Sequence, residues 1–170
     1  VYLLQGNYDE SEKYYAEVLD MEESLNDKRG IVDANIKMGK LRQAQNDDDE
    51  ALGYYEQSRD IALEIEDDEA VNEAFNNISE VLDEKQDIPQ QLEVSQQAMQ
   101  YNAERGNVRD EAKNSIDIGN IYIETDSSEK AIEHLQRGVE LSEEAGDIEA
   151  KSQAVKALSE AYEKEGSESD

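Results

Sequence analysis

One histidine, His134, stands in this chain of 170 residues, and there is no cysteine. A single imidazole with no partner at a meaningful spacing builds no nucleophilic triad, and no glycine-rich phosphate loop is written anywhere. His134 shares its place in the sequence period with Tyr14, Tyr54 and Val94, so it reads as a half-buried helix-surface residue rather than a general base. The lack of cysteine removes thiolate chemistry, disulfides and cysteine-ligated zinc, and fits a cytoplasmic address. The densest carboxylate run is Asn46-Asp47-Asp48-Asp49-Glu50. It lacks the glycine and the distant bidentate glutamate of a calcium loop, and it coincides with a helix start, where capping and the helix dipole favour acids. Carboxylate pairs arise by chance in a chain with 44 Asp and Glu, so they carry little weight for acid–base chemistry. The expectation is a protein that is not an enzyme and uses no cofactor or metal. A carboxylate- and metal-dependent hydrolase is the enzymatic alternative.

The 44 acids face only 16 Lys and Arg, for a formal net charge of -28. Such a field repels phosphate backbones, which argues against nucleic acid as a ligand. Three origins of the acidity compete. Disorder is opposed by a regular apolar period. A docking surface for a basic partner is the second, and adaptation to molar salt, where ions screen self-repulsion, is the third and favoured one. No apolar run reaches the ~18 residues of a membrane span, so no membrane association is expected.

The elements that must position these groups follow from a repeat of 40 residues. Met38, Ile78, Ile118 and Leu158 recur at that interval, each followed by a small residue, Gly39, Ser79, Gly119 or Ser159. Ala51, Gln91 and Ala131 recur likewise, with Ser11 one period earlier. Each period holds two helices. The first is predicted at about 31–45, 70–85, 110–125 and 150–165, with a remnant at 1–5, and the second at about 8–25, 48–65, 88–105 and 128–145. Gly6, Asn46, Gln86, Asp126 and Gly166 mark helix ends, with Gln86 a poor fit. Asn7, Asp47, Asp87 and Ser127 then read as N-caps, completed as capping boxes by Glu10, Glu50 and Gln90. At the other junction Asn26, Gly106 and Gly146 end a helix and Asp27, Asn107 and Asp147 begin one, with Glu66 departing. The only proline, Pro89, falls in a first helical turn, where its missing N–H costs nothing.

With these residues in place the chain resembles the tetratricopeptide repeat family, in its longer form of about 40 residues. Ile118-Gly119-Asn120-Ile121-Tyr122, Glu129-Lys130-Ala131-Ile132, Gly138 and Gly146-Asp147 carry the likeness, while Arg42, Gln91 and Ser95 depart from it. The resemblance implies an all-α, right-handed superhelical solenoid of antiparallel helix pairs. One array over 1–170 is expected: a partial repeat 1–27, repeats 28–67, 68–107 and 108–147, a terminal capping helix 148–166 and a polar tail 167–170. Val1 begins inside a first helix, so the chain reads as a fragment, with self-association through its truncated N-terminal face as a further expectation. The last helix is expected to bury Ala154, Ala157, Leu158, Ala161 and Tyr162.

The resemblance also implies a protein–protein interaction scaffold that binds a protein or extended peptide in a concave groove lined by the first helices. A regulatory module docking another domain of a larger signalling protein is the alternative. The nominated groove residues are Ile36, Lys37, Lys40, Asn76, Asn77, Lys113, Ile116, Asn120, Ile123 and Lys156. Asn76-Asn77 looks like an asparagine pair that hydrogen-bonds a peptide backbone, or equally a polar pair on a wet face. Ile116, Asn120 and Ile123 form one stripe, which accepts a partner's apolar side chain or belongs to the core. Ile36 and Lys40 occupy the lysine and asparagine places of the family's clamp for an acidic tail, and Asp117 its late arginine place. With Asp33, Glu73, Glu80 and Asp117 nearby, a basic or mixed-charge segment is the expected partner.

Overall fold

Short polar punctuation every 20 residues sets the architecture. Asn26, Asn46, Glu66, Gln86, Gly106, Asp126 and Gly146 all take a left-handed backbone, with φ between 50° and 70°. At each one the following residue's N–H reaches back to the carbonyl five residues before it, as in Asp47 to Arg42 at 2.9 Å and Ser127 to Tyr122 at 2.9 Å. This doubly bonded ending satisfies the carbonyls that a helix leaves open. Glu66 and Gln86, the departures in sequence, therefore adopt the same turn as the asparagines and glycines.

A computed structural model describes residues 8–168, with side chains up to residue 166. Between the turns lie α1 (Tyr8–Leu25), α2 (Lys28–Ala44), α3 (Asp48–Glu64), α4 (Asp68–Glu84), α5 (Ile88–Arg105), α6 (Val108–Glu124), α7 (Ser128–Glu144) and α8 (Ile148–Glu168). All regular structure among the described residues is helical. The second helices of the period, α1, α3, α5 and α7, match their predicted spans. The first helices begin two or three residues earlier than predicted: at α2, α4 and α8 Asp27, Asp67 and Asp147 accept hydrogen bonds from the N–H of Gly30, Ala70 and Ala150 and fix the earlier start, while α6 starts equally early with no side-chain cap bond at Asn107.

Side-chain caps thus hold the starts of α2, α4 and α8, and the predicted box at α3 does not form. Asp47 and Ser127 make no side-chain cap bond. Glu50 instead lies 2.8 Å from Arg42 Nε, an ion pair outside hydrogen-bond angles, and Arg42 Nη2 reaches Glu12 at 2.8 Å. Gly166 lies within α8, which runs on to Glu168. The 1–5 remnant, Gly6 and Asn7 are outside the described residues.

The chain divides into two compact units, Val1–Asp87 and Ile88–Asp170. In the first, α1 to α4 pack in succession and α2 also touches α4. In the second, α5 to α8 pack in succession and α6 touches α8. The small residues of the period sit where helices meet. A Cβ on Gly39 would enter the Tyr55 ring, one on Gly119 would come within 2.7 Å of Leu135 Cδ2, and one on Gly138 within 2.7 Å of Ile116 Cγ1. Tyr55, Leu41, Val71 and Val81 fill the first core, and Ile116, Ile123, Leu135, Ala154 and Ala161 cluster in the second. Each large side chain so buried contributes about 1.5–3 kcal/mol against the chain entropy of ordering it. On α8 one expectation is corrected. Tyr162 is 47% exposed, held at the surface by its hydroxyl, which accepts from Gln136 Nε2 at 2.8 Å.

Candidate functional site

Helical spacing puts Glu73, Asn77, Glu80 and Glu84 on one face of α4, at i, i+4, i+7 and i+11. That face borders a cleft of about 690 Å³ whose other wall is Lys40 and Gln43 of α2, with Asp48 at the start of α3. Lys40 Nζ contacts Glu73 Oε1 at 2.8 Å. Gln43 links two groups: its Oε1 accepts from the Tyr55 hydroxyl at 3.1 Å and its Nε2 donates to Glu84 at 3.1 Å. Burial, and then the charges of Glu80, Glu73 and Glu84, push the Tyr55 phenol well above its ordinary range, so it stays protonated.

Asn77 is the unusual member of this wall. Its side chain is only 8% exposed, and its Nδ2 has no acceptor. A buried donor left without a partner costs roughly 1–3 kcal/mol, so such a group is uncommon without a reason. Its neighbour Asn76 points to solvent.

The second unit has a smaller cavity of about 310 Å³, lined by Lys113, Ile116 and Asp117 of α6 and by Gln153 of α8, with Arg109 and Asp147 at its edge. Arg109 Nε lies 3.4 Å from Asp147, which also caps α8. The Asp117 carboxyl is raised above its usual range by burial, a shift that Lys113 only partly opposes.

The nominated residues therefore fall into three groups. Lys40 and Asn77 meet in the first cleft, and Lys113 and Ile116 in the second. Ile36, Ile116 and Ile123 are buried at 6%, 4% and 7% exposure, so the isoleucine stripe serves the core, with Ile116 also edging its cavity. Lys37, Asn76, Asn120 and Lys156 are exposed and line neither cleft. Sequence reasoning did not single out Glu84, although its place seven residues after Asn77 on a known helix was the available signal. It did not single out Arg109 either, and it read Asp147 only as a helix start, although both line the second cavity.

Elsewhere the chemistry is sparse. His134 is half-buried, tilted against the Tyr122 ring with centroids 5.6 Å apart, and burial lowers its pKa. Among the described residues no three His, Asp or Glu side chains gather as a metal site, and no helix is long and apolar enough to cross a membrane.

Models of the tetratricopeptide repeat match residues 1–64 and 112–144, together more than half of the chain. No curated protein matches the sequence. Among solved structures, a kinesin-light-chain-like protein of Podosopora anserina with nearly identical TPR-like repeats is 15% identical, with a TM-score of 0.71 over 98% of this chain and 82% of that one. BtubC (BKLC) from P. vanneervenii is 16% identical, with a TM-score of 0.78 over 97% of this chain and 69% of that one. MamA is 19% identical, with a TM-score of 0.57 over 99% and 94%. At these identities the likeness establishes the fold, an all-α helical-repeat solenoid, and nothing finer.

Proposed function

The chain belongs to the tetratricopeptide repeat family, whose fold generally mediates protein–protein interaction, and from that premise we propose that it is a non-catalytic scaffold binding a peptide or protein segment against its first helices. The observation that carries this reading is the buried Asn77 amide, whose Nδ2 lacks an acceptor at the wall of an open cleft. An extended segment offers a backbone carbonyl at every residue, which is the acceptor this donor lacks. In the other unit, taken by itself, exposed Asn120 of α6 offers its own amide to such a carbonyl. The acid excess we read as adaptation to molar salt in a cytoplasmic protein. Under such salt, charge steering is short-ranged, so affinity rests on the amide contacts.

The test is capture of partners from a lysate at high salt, followed by titration of whatever is captured. Converting Asn77 and Asn120 together to Ala is expected to weaken a true partner by roughly 1–3 kcal/mol, about 5- to 150-fold, with an unchanged helical spectrum. Equal binding by both proteins, or binding lost only on changing Tyr54 and His134 of the second helices, would defeat the reading.

A further inference from the structure

The charges around the α2–α4 cleft do not cancel. Lys40, the one cation among its described lining residues, is already held by Glu73 at 2.8 Å. Glu84 receives only the neutral amide of Gln43, and Glu80 has no hydrogen bond or ion pair among the described residues. Asp48 adds a third carboxylate at the rim. The buried Tyr55 hydroxyl registers the resulting field, since Glu80, Glu73 and Glu84 all reinforce the effect of burial in keeping it protonated. Between these acids stands the Asn77 Nδ2, buried and lacking an acceptor.

A small metal ion would not answer this arrangement. The cleft, at about 690 Å³, is far larger than an ion, no three carboxylates gather on one point among the described residues, and a cation offers Asn77 nothing. One residue of an extended chain answers both needs if it carries a cationic side chain: its carbonyl accepts from the amide and its side-chain N–H groups donate to carboxylates. Such charge-assisted bonds are the stronger kind, and a cleft focuses the field that selects them.

We propose that the cleft between α2 and α4 seats one arginine or lysine side chain of the partner segment, with Glu80 and Glu84 taking the cation and Asn77 donating to the adjoining backbone carbonyl. This rests on the reading of the first helices as a segment-binding surface, and adds the chemistry that the surface selects. Glu80 is the specificity-determining residue, because of the two carboxylates that take the cation it is the one with no hydrogen bond to give up among the described residues.

The probes are Nα-acetyl-arginine methylamide and its neutral isostere Nα-acetyl-citrulline methylamide, titrated into the whole chain at ~1 M KCl, where the Debye length is about 3 Å. Side-chain amide signals of Asn77 and Gln43 are followed by ¹H–¹⁵N NMR. The arginine probe is expected to shift both signals saturably and to bind at least about tenfold more tightly than citrulline, a difference of about 1.4 kcal/mol. Glu80→Gln should bring arginine down to the citrulline level with an unchanged circular dichroism spectrum. Asn77→Ala should weaken both probes alike, and Glu160→Gln on α8 should change neither. Equal binding of the two probes, shifts that spread over the acidic surface without saturating, or indifference to Glu80→Gln would each overturn the proposal. If a captured partner is lost with the double asparagine variant but retained by Glu80→Gln, segment binding stands and the cation pocket falls.

Discussion

Two glycines in neighbouring helices have opposite jobs, and substituting alanine separates them. Gly39 of α2 lets Tyr55 lie against the backbone, so a methyl group there must displace a fully buried ring. Gly53 of α3 has no atom within 4 Å of the position a Cβ would take, and its flexibility is only a cost to the helix. Gly39→Ala should lower stability by about 1–3 kcal/mol and Gly53→Ala should raise it by about 0.5–1 kcal/mol, read as opposite shifts of a urea midpoint. Gly119→Val, driven into Leu135, belongs with the first. Shifts of the same sign for Gly39 and Gly53 would mean that the helices do not approach as described. Asp117 makes a pH-dependent case. Burial raises its pKa in the folded chain, so the folded state holds the proton more tightly than the unfolded one. The stability tied to that proton is complete below the unfolded value of about 3.9 and is lost as pH rises through the folded one. At neutral pH the ionised Asp117 is therefore a cost. Asp117→Asn should melt higher than the parent at pH 7, with the difference shrinking toward pH 4. A difference that grows as pH falls would contradict the assignment.

At the scale of the helix and its turn, what decides the fold is a backbone requirement that recurs every 20 residues. Glu66 and Gln86 meet it with φ of 57° and 55°, at a cost that glycine does not bear. Glu66→Gly and Gln86→Gly should each raise stability by up to about 1 kcal/mol, whereas Gly146→Gln should lower it by a similar amount, checked by thermal melting. No gain at either position would show that the turn conformation there is relaxed by other contacts. These turns also explain what could be read from sequence. The period and the second helices were legible because apolar spacing and Gly or Asn at helix ends point the same way. Cap positions were less so: Asp27 and Asp47 are the same residue type before a helix, yet only Asp27 bonds a backbone N–H. A residue type permits a cap, but the side-chain rotamer decides it. The candidate site was partly legible for a similar reason. Spacing placed Asn77, Glu80 and Lys40 on first helices, but a helix packed from two sides has two inward faces, and nothing in the pattern of Ile116 and Ile123 says which one is open. Burial put them in the core.

For the molecule as a whole, the dominant electrostatic fact is 28 uncompensated negative charges on 170 residues. Ion pairs do cross between elements, as at Lys40 and Glu73, Arg137 and Glu111, and Lys164 and the turn residue Asp126. Apart from the half-buried Glu111 they lie at the surface, where such pairs contribute at most about 1 kcal/mol each. They also act at contact distance, whereas repulsion among the acids accumulates over tens of ångströms. Raising ionic strength from ~0.1 M to ~1 M shortens the Debye length from about 10 Å to about 3 Å, which removes the long-range repulsion almost entirely and trims the contact pairs much less. Salt should therefore stabilise the fold: helicity by circular dichroism should rise and the melting temperature should climb across that range. Potassium chloride is the salt to use, since sulfate would strengthen apolar burial by itself and confuse the two effects. A variant with Asp33, Glu56, Glu69 and Glu163 changed to their amides removes four exposed acids for which the structure shows no ion pair. It should melt higher than the parent at low salt and respond less steeply to added chloride, converging with it near ~1 M. A melting temperature that ignores salt in both proteins would sink the reading of this acidity as an adaptation to concentrated salt and would favour a surface kept acidic for docking.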